Sequence, residues 1–152
     1  MTEPSTLQLF TFALAVLGSV LGVINTWVNL DKNRVKIKVV PQRAIPVGGA
    51  DPKIKFCIDI TNLSSFPISI SDAGVFYHGT KNRGATVSPI FSDGEGRWPK
   101  RLQPRESLTV YSQLPNAEPG KKIRCAYAKT QCGIITEGNS GALKQISRES
   151  SS

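Results

Sequence analysis

Residues 53 to 60 read KIKFCIDI, and in an extended chain this order sets Ile54, Phe56, Ile58 and Ile60 on one face with Lys53, Lys55, Cys57 and Asp59 on the other. Helical periodicity would scatter the four apolar side chains around the cylinder, whereas a strand gathers them, so the segment needs a second layer to cover its Ile/Phe face. Comparable short pieces lie on both sides of it. VKIKVV (35 to 40), SFPISIS (65 to 71), GVFYH (74 to 78), TVSPIF (86 to 91), SLTVYSQL (107 to 114), KIRCAYAKT (122 to 130) and GIITEG (133 to 138) are rich in β-branched or aromatic residues. Between them, QRAIPVGGADP, ISDAG, HGTKNRG, FSDGEGRWPKR and LPNAEPGKK are turn and loop material by composition. Seven or eight short strands within residues 31 to 138 predict a mainly β domain, an antiparallel β-sandwich of the immunoglobulin-like kind, with a small barrel as the alternative.

Ahead of that domain the pattern is different. Residues 7 to 30, LQLFTFALAVLGSVLGVINTWVNL, carry no charged side chain. As a helix they cover about 36 Å, slightly more than the roughly 30 Å of a bilayer's hydrocarbon core. A chain of 152 residues is too small to wrap so long an apolar helix on all sides, which predicts a transmembrane helix after a short flank, residues 1 to 6. A cleaved signal peptide fits less well: the flank has Glu3 and no basic residue, and the apolar run exceeds the usual ~7–15 residues. Directly after the run come Lys32, Arg34, Lys36 and Lys38. The positive-inside bias then puts the N-terminus outside and the β-domain in the cytoplasm of a bacterial inner membrane, with Trp27 at the interface. Ala15, Gly18, Gly22, Asn25 and Asn29 recur at spacings of three and four on one helical stripe, a surface suited to helix association and homo-oligomerisation, or simply to lipid.

The three cysteines invite a disulfide reading, since Cys57 and Cys125 are spaced as the inter-sheet pair of an immunoglobulin domain. Parity speaks against it. Cys57 falls on the polar face of its strand, whereas Ile123, Cys125 and Tyr127 form the apolar side of theirs, so three free thiols are expected in a reducing compartment. Cys132 lies in the turn TQCGI. The tail, residues 139 to 152, offers Ala142, Leu143 and Ile146 for a single docking turn of helix before a serine end.

Chemistry is sparse. The single histidine, His78, has no nucleophile elbow to serve, and the cysteines form no C-x-x-C clip, so neither a catalytic site nor a cofactor or metal is expected. Asp93, Gly94, Glu95 and Gly96 fall short of a calcium loop and read as turn residues. Positive charge is the remaining signal. The chain carries a formal +8 and the part after the apolar run is basic, with clusters at Lys32 to Lys38 plus Arg43, at Lys81 and Arg83, at Arg97, Lys100, Arg101 and Arg105, and at Lys121, Lys122 and Arg124. Apposition to an anionic bilayer surface accounts for such a distribution. The sharper alternative is a nucleic-acid binder in which Trp98 stacks on a base amid Arg97, Lys100 and Arg101.

DKNRVKIKVVP after the anchor, ITNLSSFPISIS with Asn62 and Pro67, LQPRESLTVY with Pro104, and AYAKTQCG followed by EGNSGALKQI together resemble small bacterial or phage-associated proteins with one N-terminal membrane helix and a β-domain. The resemblance implies a membrane-anchored sandwich of unassigned activity and supplies no catalytic residues. The expectation is a non-enzymatic interaction module at the membrane surface, in a phage- or prophage-related role. Its partners would be the lipid bilayer and a protein bound through strand edges or the loops at 79 to 84 and 92 to 105.

Overall fold

A computed structural model describes residues 5–46, 48, 51–79, 83–86, 89–94, 96–113 and 122–149. The chain divides into two compact units, one ending at Arg34 and the other beginning at Val35.

The first unit is the helix α1 (Thr6–Lys32), begun by a capping box in which Ser5 and Gln8 bond each other's backbone. Its 27 residues extend about 40 Å, and none is buried. The helix is long and apolar enough to cross a membrane and lies near the N-terminus. Its hydroxyls are compatible with that environment: Thr11, Ser19 and Thr26 each donate to the carbonyl four residues earlier, at 2.9 Å.

The second unit is mainly β. Its strands are β1 (Ile37–Arg43), β2 (Ile54–Asn62), β3 (Ile68–Tyr77), β4 (Arg83–Ala85), β5 (Ile90–Phe91), β6 (Lys100–Leu102), β7 (Ser107–Gln113), β8 (Ile123–Thr130) and β9 (Ile135–Gly138), followed by the helix α2 (Gly141–Glu149). They form two antiparallel sheets, one ordered β1-β2-β7-β5 and the other β4-β3-β8-β9, with β6 also on β3. The inner faces of both sheets contribute to one apolar core, including Phe56, Ile58 and Ile60 from β2, Ile70 and Val75 from β3, and Val110 from β7. The expected Ile/Phe face of β2 is therefore the core face from Phe56 onward. Ile54 falls outside the core because the register with β7 shifts between Ile54 and Phe56.

Three expectations are corrected here. The segments at 65 to 71 and 74 to 78 are one strand, β3, because the intervening Ser-Asp-Ala-Gly is not a turn: Ala73 is in the core and Asp72 accepts the Tyr127 hydroxyl at 2.8 Å. In β8 the core face after Ile123 is Ala126 and Ala128, not Cys125 and Tyr127. A register shift between Phe76 and Tyr77 displaces the pairing at this end of β8, so Cys125 stands opposite Phe76 on the outer face. Finally, the tail holds more than one turn of helix. α2 spans nine residues, starts with Ser140 Oγ accepting from Leu143 N at 3.1 Å, and buries Leu143 and Ile146 against the core.

Two contacts close the fold. At Gly138 of β9 a Cβ would stand 1.9 Å from the carbonyl oxygen of Val39 in β1, so the strands' backbones meet where the two sheets approach. At the end of β2, the fully buried Asn62 donates through Nδ2 to the carbonyls of Phe66, Leu102 and Gln103 at 2.9, 3.2 and 3.1 Å. Its Oδ1 accepts from Ser64 N at 2.9 Å.

Candidate interaction surfaces

The basic loop read from sequence is built differently from a base-stacking platform. Residues 92 to 105 include β6, whose pairing with β3 turns Lys100 and Leu102 inward and leaves Arg101 outside. Lys100 is buried and reaches Asp93 at 2.6 Å, with Phe91 5.0 Å below its ammonium. Trp98 packs edge-on against Phe91, ring centroids 4.8 Å apart, at the margin of the core. Two of the four residues of that cluster are thus used in packing, and Arg97 and Arg101 are its exposed cations. Asp93, half of the suspected acidic loop, serves as the counter-ion of Lys100; Glu95 lies outside the described residues, as do Lys81 and Lys121.

Lys32, Arg34, Lys36 and Lys38 are all exposed, the first ending α1, the next two in the connection and the last on β1. On α1 the stripe of Ala15, Gly18, Gly22 and Asn25 is open: no heavy atom comes within 4 Å of a Cβ built on either glycine. Gly22 and Asn25 line a shallow groove with Leu21, Ile24 and Val28. The Asn29 amide donates to Asn25 Oδ1 at 3.5 Å, one turn away on the same stripe.

The two outer sheet faces differ in chemistry. That of the first sheet is a hydroxyl network: Asp59 accepts from Gln42 Nε2 at 2.5 Å and from Thr109 Oγ1 at 2.6 Å, and Thr61 bonds Ser107 at 2.9 Å. That of the second sheet carries two aromatic rings under two guanidinium groups. Phe76 and Tyr127 pack at 4.7 Å between centroids. Arg83 lies 5.8 Å from the Phe76 centroid and 6.0 Å from that of Tyr127, and Arg124 approaches Phe76 to 5.3 Å. Arg124 also pairs with Glu137 at 2.7 Å. Burial and the bond to Asp72 push the Tyr127 hydroxyl well above the usual phenol range. The sequence reading missed this face because it assigned Tyr127 to the core; a β8 alternation starting from Ala126 would have exposed it.

All three cysteines are free. Cys57 is on the polar face as expected, yet buried there, and Cys125 is buried on the outer face of the other sheet, so the core separates them. Burial raises both thiols to about 11, aided by Asp59 at Cys57 and by Glu137 at Cys125. Cys132 is exposed, and the Thr130 hydroxyl 3.1 Å away lowers its thiol. His78 is exposed at the end of β3. Among the described residues no group of three or more His, Cys, Asp or Glu side chains could hold a metal ion.

No protein-family model matches the chain, and no curated protein does. Among solved structures, the ApaA protein of Bordetella pertussis is similar at 23% identity over 69% of this chain and 86% of its own, with a TM-score of 0.30.

Proposed function

We propose that the chain is a single-pass membrane-anchored interaction module, with α1 in the inner membrane, the N-terminus outside and a basic immunoglobulin-like sandwich at the cytoplasmic surface. The observation that carries the reading is an α1 that is uncharged from Leu7 to Leu30 and buries no residue, with four exposed cations, Lys32, Arg34, Lys36 and Lys38, at its end and just after it. Near an anionic leaflet each such cation contributes about 1 kcal/mol of attraction. The immunoglobulin-like assignment is supported by strand order. β1-β2-β7-β5 follows the A-B-E-D sheet of such domains, and β3-β8-β9 follows C-F-G.

The exposed thiol makes the test direct. In whole cells a membrane-impermeant maleimide leaves Cys132 unlabelled, and opening the cells exposes it; labelling from outside reverses the topology. Retention of the full-length chain in the carbonate-washed membrane fraction tests anchoring separately.

A further inference from the structure

We infer that the outer face of the second sheet, centred on Arg83, Phe76 and Arg124, is the docking site of an acidic peptide segment of a protein partner; the inference rests on the interaction-module reading and names its surface. Here Phe76 of β3, partly exposed, packs on Tyr127 of β8, which is fully buried, and β4 is paired so that Arg83 stands opposite Phe76. Both guanidinium groups lie within cation–π range of Phe76, at 5.8 and 5.3 Å from its centroid.

Charge complementarity selects the occupant. The two carboxylates of this face are engaged, Asp72 with the Tyr127 hydroxyl and Glu137 with Arg124 and with Cys125 Sγ. Among the described residues Arg83 makes no ion pair. An arginine beside an aromatic ring still presents N–H donors, and a carboxylate can accept from it bidentately. Ile135, opposite Lys129 on β9 and partly exposed, is a further apolar side chain of this outer face. Arginine and aromatic side chains with an apolar neighbour form the composition of protein–protein hot spots. Lipid headgroups are met instead by the exposed cations at the end of α1 and just after it, beside the apolar helix.

The test uses the full chain in nanodiscs of neutral lipid and a fluorescein-labelled peptide of glutamate and phenylalanine, read by anisotropy. Arg83→Glu is compared with Lys38→Glu, which changes the net charge equally on the other sheet. The expected result is binding by the parent chain, weakened about tenfold or more by Arg83→Glu and less than about twofold by Lys38→Glu. Equal weakening by both variants, or no binding by the parent, overturns the site. So does a loss on Arg83→Glu of binding to phosphatidylserine vesicles while peptide binding is unchanged, because the face would then recognise lipid. A folding defect is excluded by Arg83→Lys, which keeps the charge and is expected to retain partial binding. Failure of the chain to enter nanodiscs would overturn the membrane reading alone, since peptide binding by the β-domain is measured equally well in solution.

Discussion

Asn62 shows how much a single polar side chain can organise. It is fully buried, and its amide serves the carbonyls of three residues from two segments while accepting from a fourth. Asn62→Ala removes the donor and leaves those carbonyls without it, so a loss of about 2–3 kcal/mol is expected from urea unfolding of the β-domain, with the slope unchanged. The thiols give a second prediction at this scale. Cys57 and Cys125 ionise at about 11 when folded, against an ordinary value of 9.0. Above pH 9 the unfolded chain therefore binds fewer protons than the folded one, and stability falls as pH rises from about 9 to 11. The urea midpoint should be flat on the alkaline side up to pH 8.5 and then decline. Replacing both cysteines by alanine should flatten the decline between pH 9 and 10, below the range in which the elevated Tyr127 hydroxyl adds its own share.

At the scale of elements, the seam between β1 and β9 depends on the absence of a side chain at Gly138. Gly138→Ala would drive a methyl group into the Val39 carbonyl, and because the obstacle is backbone the strands must separate. The expected cost is about 1–3 kcal/mol in thermal unfolding, whereas Gly141→Ala, with open space around it, should be neutral or slightly stabilising. Which elements were legible in the sequence follows a physical pattern. β2 was read correctly because its apolar and polar sets alternate without interruption from Phe56 to Ile60. β8 was not, since the shifted pairing near Arg124 reverses the parity and small alanines fill the core side. The Ser-Asp-Ala-Gly stretch looked like a turn because composition cannot reveal that Asp72 bonds Tyr127 across strands. The basic loop misled for a related reason: a lysine that folds inward onto Asp93 and Phe91 has the same letter as one that faces solvent. The Arg/aromatic face was out of reach, being composed of residues from β3, β4 and β8 that only pairing brings together.

At the scale of the whole molecule, the β-unit contains the entire apolar core within Val35–Ser152. Residues 35 to 152 produced alone should therefore fold cooperatively, with an unfolding free energy within about 1 kcal/mol of that measured for the same unit in the full chain. Circular dichroism with urea titration checks this, and an unfolded product would mean that α1 contributes to the fold. One mechanical consequence follows from chain order. The first strand after the apolar helix is β1, which is laced to β2 over seven residue pairs and abutted by Gly138 on its other flank. Tension applied along β1 would load that lacing lengthwise, so its rungs share the force instead of unzipping singly. A latch built this way holds under traction, and pulling on the N-terminus with a force probe should find β1 yielding late and abruptly.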